Sequence, residues 1–382
     1  MTLIEPSWDL ARKTAAELGR YLGDEQVNIS EAADRVLSVD AISLVDLPTY
    51  ETSAMDGYVV AGKQPWKLTG DIRAGSIFLG TLNPGEAYSI VTGAVIPTGA
   101  FGVLRWEDAN LDDGFVTGET SERKDFRPKG EEAEEGEVLI EKGTVLTPGM
   151  LGLLAASGYD TITVARKTKV VILILGDEIQ LSGKPKNGLV RDSIGPQLPA
   201  WLVKLGCEVV GLEYVSDDKN ETIKAIDTAS KIADIVVTTG GTADGPRDFL
   251  HHAIGELAGL IHVDKVAVRP GHPQLLGEVN SVPLLGLPGN PQSAIVALLT
   301  LGAPLVDAML GKKSKSLPII TSELQLLAQP NFSRLVIGSL NQGKFTPGAH
   351  LGSAMLRSLA HGDGFAICTN PPTAIRWLEL PS

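Results

Sequence analysis

The sequence predicts an α/β multidomain protein with a central doubly wound α/β domain, a β-rich inserted domain and a small all-β C-terminal domain. Residues 168–311 alternate runs of β-branched residues with helical patterns, which is typical of a parallel sheet covered by helices. Residues 46–139 and 312–382 carry short β-like runs between glycines and prolines. We expect residues 1–45 and 140–167 to form a separate N-terminal domain.

The composition of the 382-residue chain excludes several classes of protein. Lys+Arg 33 against Asp+Glu 46 gives a formal net charge of −13, so general attraction to nucleic acid is not expected. No apolar run approaches the ~20 residues that cross a bilayer, so no membrane partner is expected. The two cysteines, Cys207 and Cys368, are too few for a disulfide framework or a Cys-rich metal site. We therefore expect a cytoplasmic protein.

Local patterns predict the elements in order. Apolar positions at helical spacing predict a helix within residues 7–22. In the central domain the predicted strands are KVVILILGDEI, CEVVGLEYV, ADIVVTTGG, HVDKVAVRPG and PLLGLPGN. The helices predicted between and after them cover 194–205, 220–231, a stretch after 248, and 291–301. Right-handed crossovers would place the loops after the strands along one edge of the sheet.

Three glycine-bearing loops follow strands of this sheet and should meet at its carboxyl edge, where open α/β sheets bind ligands. Their predicted ligand-binding residues are Gly176, Asp177, Gly240, Gly241, Thr242, Pro288, Gly289 and Asn290. A glycine-rich turn that opens a helix presents free N–H groups and the positive end of a helix dipole, which suits phosphate. A Gly-Gly pair is also an ordinary turn, but three such loops together predict a phosphorylated ligand.

Carboxylates accompany these loops and would repel a phosphate unless a cation offset their charge. They are Asp177, Glu178, Asp244 and Asp248. Mg²⁺ binds a few carboxylates together with substrate phosphates, so we expect Mg²⁺ here. Two alternatives stay open, because Asp248 is also suited to capping the next helix and Glu178 to a solvated loop.

Arg269 and His272, in the segment VAVRPGHP, supply positive charge for an anion. Arg269 cannot act as a general base, so its role would be charge stabilisation. His272 precedes a proline and is equally consistent with a structural turn. Asp56 beside Gly57 is also explained by a turn, and Thr92 alone is ambiguous. The sequence has no Walker A, His-Glu-x-x-His or Gly-x-Ser-x-Gly motif, which argues against a P-loop nucleotidase, a zinc hydrolase and a serine hydrolase.

A series of short motifs runs through almost the whole chain. They are SAMDGYVV, IVTGAVIPTGAFGVLRWED, RPKGEE, LGDEI, RDSIGPQL, TTGGTADGPRD, VRPGHPQLLG, LPGNPQSA and GSAMLRSLAHGDGFAI. In this order they resemble the MoeA family of molybdenum-cofactor biosynthesis, the molybdopterin molybdenumtransferases, which are related to the E domain of gephyrin.

The resemblance implies an elongated, four-part subunit that forms a homodimer, with residues 1–45 and 140–167 as its linking and dimerisation domain. It implies that residues 168–311 bind molybdopterin. The implied reaction is insertion of molybdate into adenylylated molybdopterin, with release of AMP and dependence on Mg²⁺. Docking of the adenylyltransferase of the same pathway is left open.

The resemblance also carries functional positions over to this chain. The positions that match functional positions of the family are Asp56, Thr92, Glu132, Glu178 and Asp248. Metal ligation is predicted for Asp56, Glu132, Glu178 and Asp248, and a catalytic role for Asp56, Glu178, Asp248 and Arg269. Thr92, His272 and Ser293 join the predicted ligand-binding residues, Ser293 because the N–H groups that open its helix suit phosphate.

The chain departs from the family pattern at several positions. Two family lysines are Arg269 and His272, a family asparagine is Ile194, and Glu132 replaces an aspartate. The loop TTGGTADGPRD is closer to that of the homologous adenylyltransferases. Two alternatives therefore stay open: a divergent relative that binds pterin or nucleotide with weak or no catalysis, and molybdopterin adenylyltransferase-like activity.

Overall fold

The computed structural model describes residues 2–122, 124–242, 249–314, 316–323, 326–370 and 372–381. The chain forms two compact units, each with its own hydrophobic core. The first unit comprises residues 1–25, 34–38 and 164–382, and the second unit comprises residues 26–33 and 39–163.

Strands make up most of the regular structure. In chain order they are β1 (Leu3–Ile4), β2 (Asp24–Asn28), β3 (Ala41–Ile42), β4 (Thr52–Ser53), β5 (Gly57–Val60), β6 (Trp66–Ile72), β7 (Glu86–Ile90), β8 (Gly102–Arg105), β9 (Ala109–Asp112), β10 (Phe115–Gly118), β11 (Phe126–Arg127), β12 (Val138–Ile140), β13 (Thr161–Ala165), β14 (Thr168–Leu175), β15 (Ile179–Gln180), β16 (Val190–Arg191), β17 (Cys207–Val215), β18 (Ile235–Thr239), β19 (Leu260–Asp264), β20 (Val268–Arg269), β21 (Leu275–Val279), β22 (Val282–Leu287), β23 (Ile319–Ser322), β24 (Ser333–Asn341), β25 (Lys344–Pro347), β26 (Gly364–Cys368) and β27 (Ile375–Glu379).

Helices are fewer and mostly short. They are α1 (Trp8–Leu18), α2 (Pro148–Ala156), α3 (Leu198–Leu205), α4 (Lys219–Ser230), α5 (Leu250–Glu256), α6 (Pro291–Ala297), α7 (Ala303–Met309) and α8 (Arg357–His361). A π-helical turn, Leu298–Gly302, joins α6 to α7. The resulting helix, Pro291–Met309, is long and apolar enough to cross a membrane, but 89% of its most apolar window is buried inside the protein. It is therefore explained as a core helix.

The central sheet of the first unit has the strand order β1-β19-β21-β22-β18-β14-β17. The four strands β22, β18, β14 and β17 are parallel, which confirms the predicted doubly wound fold. β14 and β18 are buried on both faces over their apolar runs, residues 170–175 and 235–237, with Ile172 in one core cluster and Leu173 in the other. The chain leaves β14 towards β17 on one side and later returns to β18 on the other. This reversal opens a crevice at the carboxyl ends of β14 and β18.

One predicted strand of this sheet is divided between two sheets. Its first half, β19, is antiparallel to β21, whereas its second half, β20, pairs with β24. Lys265 lies between the halves with a positive φ of 62°, so the chain turns there. β20 thereby joins a six-stranded C-terminal sheet of order β20-β24-β25-β23-β27-β26, which confirms the predicted C-terminal β domain.

The second unit contains a six-stranded sheet of order β8-β5-β7-β6-β10-β9, as expected for the β-rich inserted domain. Alternate residues of its strands, including Val59, Ile90 and Val103, form a buried core. In the first unit, β1 pairs with β19. The structure thus groups the first 25 residues with the central sheet, whereas the sequence places residues 1–45 in a separate domain.

Candidate functional site

A cleft of about 920 Å³ opens at the carboxyl ends of β14, β18 and β22. It lies where the reversal of strand order separates the loops, which is where sheets of this kind bind ligands. The predicted site residues in its walls are Glu178, Gly240, Gly241, Thr242, Pro288, Gly289 and Asn290. The structure therefore brings the three glycine-bearing loops together.

The loop after β14 depends on glycine. Gly176 has a φ of 138°, and a Cβ at this position would lie 2.6 Å from Glu178 Oε2. Only glycine lets the Glu178 side chain fold back over this turn. Glu178 is exposed and lines both the cleft and an adjoining cavity of about 110 Å³, which Asp217 also lines.

Asp177 braces two loops and is not among the residues that line the cleft. Its Oδ1 accepts the N–H of Asp217 at 3.2 Å, and Asp217 Oδ2 accepts the N–H of Asp177 at 3.4 Å. These reciprocal bonds connect the loop after β14 to the loop after β17. The geometry therefore gives Asp177 a structural contact, and its contact with a ligand stays a prediction.

The loop after β18 makes a sharp turn through two glycines. Gly240 and Gly241 have φ values of 84° and 68°, and the Gly240 N–H donates to the carbonyl oxygen of Leu287 at 2.8 Å. That bond ties the turn to the end of β22. Thr242 is buried beside it. Asp248, predicted as a catalytic and metal-binding residue, lies outside the described residues.

The helix after β22 does not offer its first N–H groups to a ligand. The N–H groups of Gln292 and Ser293 donate to the carbonyl oxygen of Ser353 at 3.1 and 3.4 Å. In this conformation the turn between β25 and α8 already satisfies both groups, and their binding of phosphate stays a prediction. Ser293 itself is buried.

A buried carboxylate, Asp192, is also among the residues that line the cleft. Asp192 Oδ1 accepts the N–H groups of Ile194 and Gly195, both at 2.9 Å, and its Oδ2 accepts the Tyr214 hydroxyl at 2.7 Å. Burial, together with the bond to Asp192, raises the pKa of Tyr214. The Ile194 side chain belongs to the hydrophobic core, so an apolar residue is well accommodated where the family has asparagine.

A second cavity, of about 410 Å³, lies between the central and C-terminal sheets and is called the Arg269 cavity here. Its polar walls come from Arg269, His272, Asn290, Ser293, Arg334 and Ser353, and none of its described lining residues is a carboxylate. Arg269 and Arg334 are register partners in the parallel pair β20–β24. Two guanidinium groups on adjacent strands, without an acidic neighbour in the wall, form a site suited to an anion.

Phe332 lies against both predicted cationic residues of this cavity. Its ring centroid is 5.5 Å from the Arg269 guanidinium carbon and 5.7 Å from the His272 ring centroid. The other side of His272 meets a carboxylate, since His272 Nε2 lies 2.6 Å from Glu5 Oε1. Glu5, just after β1, and Phe332, just before β24, therefore both contact His272. These contacts are consistent with the alternative that His272 has a structural role.

Sequence patterns did not identify several residues of these cavities. Arg334 and Ser353 line the Arg269 cavity only because β24 pairs with β20 and the turn after β25 packs on α6, and Phe332 contacts Arg269 through the same pairing. Asp217, in the loop after β17, lines the same small cavity as Glu178. The apolar run at residues 335–337 predicts that β24 is a strand, but no local signal shows which strand it will pair with.

In the second unit, Asp56 and Thr92 form a local pair. Asp56 Oδ1 accepts the Thr92 N–H at 2.7 Å and the Thr92 hydroxyl at 3.0 Å. These bonds, first from the backbone and then from the side chain, lower the pKa of Asp56. Glu132 is exposed and makes no side-chain hydrogen bond or ion pair within the described residues. Its predicted metal ligation thus remains a prediction.

No group of three or more His, Cys, Asp or Glu side chains suited to a metal ion occurs within the described ranges. The carboxylates nearest the predicted phosphate loops are Glu178 and Asp217, which both line the cavity of about 110 Å³ that adjoins the cleft. Mg²⁺ usually binds through one or two carboxylates plus substrate phosphates and water. The pair therefore fits Mg²⁺ that arrives with a phosphorylated substrate.

Comparisons with known proteins agree with this geometry. A model of the MoeA N-terminal region (domain I and II) matches residues 7–158, and a model of a probable molybdopterin binding domain matches residues 171–308. The molybdopterin molybdenumtransferase of Haemophilus influenzae is 34% identical over 355 residues, covering 87% of this chain and 88% of that protein. The molybdopterin molybdenumtransferase 2 of Mycobacterium tuberculosis is 29% identical over 389 residues, covering 96% and 91%.

A solved structure leads to the same family. The molybdopterin biosynthesis MoeA protein of Pyrococcus horikoshii superposes with a TM-score of 0.77 at 27% identity, covering 98% of this chain and 96% of that chain. Since both the sequence and the fold match along nearly the whole length, the chain belongs to the MoeA family of molybdenum cofactor biosynthesis.

Proposed function

We propose that this protein inserts molybdate into the dithiolene of adenylylated molybdopterin and releases AMP, in a Mg²⁺-dependent reaction. The observation that carries the proposal is a wall shared by two cavities of the first unit. Pro273, Pro288 and Asn290 line both the cleft and the Arg269 cavity. An organic ligand in the cleft and an oxyanion in the Arg269 cavity would therefore lie side by side.

The cleft has the size and lining that a pterin nucleotide requires. Its volume of about 920 Å³ lies within the usual range of cofactor pockets. Apolar side chains such as Ile174 and Ile179 line it and suit the faces of flat rings. The turn at Gly240 and Gly241 lets phosphate groups approach the backbone closely, because neither residue has a side chain.

The Arg269 cavity has the charge that molybdate requires. Molybdate is a tetrahedral dianion, and the guanidinium groups of Arg269 and Arg334 offer several donors each. The hydroxyl groups of Ser293 and Ser353 add neutral donors in the same walls. Because the whole chain carries a net charge of −13, a cavity without a lining carboxylate provides the local attraction that the molecule as a whole does not.

Insertion requires both ligands to be held in contact. The two dithiolene thiols must form two bonds to molybdenum, and their two protons must leave with one oxo group as water. A second water must hydrolyse the phosphoanhydride, so that AMP leaves and the pterin keeps its own phosphate. Arg269 and Arg334 would hold the oxyanion and offset its charge as sulfur approaches. Glu178 and Asp217 would hold Mg²⁺, which when bound polarises the phosphoanhydride.

Homodimer formation, docking of the pathway adenylyltransferase and a cytoplasmic location are part of the same proposal. They are supported by the family resemblance, and light scattering of the purified protein tests the first of them.

The test is AMP release from purified protein supplied with adenylylated molybdopterin, Mg²⁺ and molybdate, against a reaction without molybdate. Molybdate-dependent release is expected. Glu178→Gln should lower release by about 10- to 100-fold at limiting Mg²⁺ and recover partly when Mg²⁺ is raised, because it weakens metal binding. Glu213→Gln, an exposed change on β17, is the matched control and should not alter release.

Other outcomes would favour the alternatives. Tight binding of the substrate without AMP release would indicate a divergent, non-catalytic relative. Consumption of ATP with molybdopterin that carries no adenylyl group would indicate an adenylyltransferase-like activity. Absence of binding would overturn the proposal.

A further inference from the structure

A third cavity, of about 430 Å³, lies wholly within the C-terminal part of the first unit and is called the Arg357 cavity here. Its lining residues come from the hairpin β24–β25, the segment that follows β25, and α8. It shares no lining residue with the cleft or the Arg269 cavity. The proposed molybdate insertion makes no use of it.

The ionisable side chains in its walls are all basic residues. They are Arg357, His350 and His361, and no carboxylate is among the described lining residues. Across the part of the chain that the structure describes, none of these three side chains makes a hydrogen bond or an ion pair. Asp363 is the residue after Gly362, which lines the cavity, but Asp363 itself does not line it. Its Oδ2 accepts the N–H of Leu340 at 3.0 Å. Positive charge here is therefore not neutralised by the protein itself.

Neutral donors face the same space. Ser339 and Thr346 are direct cross-strand partners in the hairpin β24–β25, and both line the cavity. Neighbouring side chains on one face of an antiparallel pair lie close enough to contact a single small ligand. Two hydroxyl groups from the sheet and basic groups from α8 and the preceding segment thus line one cavity.

The wall that carries the basic groups is closely packed. The buried Ser358 hydroxyl oxygen accepts the N–H of His350 at 2.9 Å, which holds the segment before α8 against the helix. A Cβ at Gly348 would lie 2.4 Å from this same oxygen, so glycine is required for the approach. His350 and Arg357 are therefore presented from a fixed backbone.

We propose that the Arg357 cavity binds a tetrahedral oxyanion group, either a free inorganic oxyanion or the phosphate of a nucleotide. Arg357 supplies permanent charge and a planar set of donors that suits phosphate, and the imidazoles add charge when protonated. The volume exceeds that of a bare ion, so a phosphorylated small molecule also fits.

The experiment is calorimetric titration of the full-length protein with inorganic phosphate, molybdate and AMP. Because the Arg269 cavity should also bind anions, the titrations are made on the Arg334→Ala variant as the reference. Phosphate binding should persist in this reference. Adding Arg357→Ala should weaken it at least about tenfold, whereas Arg357→Lys should retain part of the affinity, since charge remains but the bidentate geometry is lost.

Lys344→Ala is the matched control, because it removes one positive charge from the same sheet at a residue that pairs with Glu323 and does not line the cavity. It should leave phosphate affinity unchanged. Arg357 is exposed and its side chain makes no hydrogen bond or ion pair within the described residues, so its variants should keep the melting temperature of the reference. Tighter binding of AMP than of phosphate would support a nucleotide as the ligand, and equal binding would support a free oxyanion.

Two results would overturn the proposal. One is an Arg334→Ala protein that no longer binds phosphate, and the other is an unchanged phosphate affinity when Arg357→Ala is added. Neither result bears on AMP release, so the proposed insertion activity and the proposed anion binding in the Arg357 cavity are tested independently.

Discussion

At the scale of single residues, Phe332 connects the two positions at which the chain departs from the family lysines. Its ring contacts the Arg269 guanidinium and the His272 imidazole. A cation held over an aromatic face gains about 0.5–1 kcal/mol at a partly exposed site.

Phe332→Leu should therefore raise the Kd for molybdate by about two- to fivefold, because the guanidinium loses its ring contact. Equilibrium dialysis with molybdate measures this, and Phe332→Tyr, which keeps the ring, is the control. An equal loss in both variants would contradict the role of the ring.

The Asp56–Thr92 pair of the second unit makes a prediction about pH. Thr92 lowers the pKa of Asp56, so the contribution of this pair to stability is present at neutral pH and is lost as the pH falls through that lowered pKa. Thr92→Val removes the hydroxyl donor and keeps the backbone donor. The pKa of Asp56 should rise towards its ordinary value in this variant, which an NMR titration of the Asp56 side-chain carboxyl carbon would show. Titration at the same pH in both proteins would exclude the hydroxyl as a cause.

At the scale of elements, the π-helical turn of the core helix is the place where α1 makes buried polar contacts with it. Thr300 within that turn is fully buried, accepts the Trp8 indole N–H at 3.0 Å and donates to the Val296 carbonyl at 2.7 Å. The Arg12 guanidinium donates to the Leu299 carbonyl in the same turn, and its burial lowers the pKa of Arg12. The turn therefore anchors α1 to the core helix through buried polar contacts.

Thr300→Val should reduce the free energy of unfolding by about 1–3 kcal/mol, because the buried Trp8 N–H loses its acceptor while the side-chain volume is retained. Urea denaturation followed by tryptophan fluorescence measures the effect. Thr300→Ser keeps the hydroxyl group and is the comparison. A loss of stability no greater in the valine variant than in the serine variant would show that the bond to Trp8 contributes little.

The sequence predicts those elements whose pattern is local. Residues such as Val171 and Ile172 are apolar on both faces of β14, so a buried parallel strand follows, and glycines at its end predict the loop. The remaining features depend on distant partners. Ser353 satisfies the first N–H groups of the core helix, and Arg334 enters its cavity through a strand pairing. No local pattern in the sequence specifies either contact.

At the scale of the whole molecule, the two units should respond to different perturbations. The cleft and the Arg269 cavity are built within the first unit, whereas Val103 lies in the core of the second. Saturating molybdate should raise the midpoint of the calorimetric transition of the first unit, since a ligand at about 100 times its Kd adds ~2.7 kcal/mol to stability. Val103→Ala should lower the other transition, at a cost of about 1–3 kcal/mol. A single transition that both changes shift equally would show that the units unfold together.

The Ser353 carbonyl oxygen affects how a phosphate could bind at the start of the core helix. It already holds the N–H groups of Gln292 and Ser293 that a phosphate at the start of the core helix would need. A phosphate and this carbonyl oxygen compete for the same two donors, so the turn between β25 and α8 lowers the affinity of that position for phosphate. Any substrate that takes those donors must first release residue 353 from the helix, and its affinity is reduced by the free energy of that release.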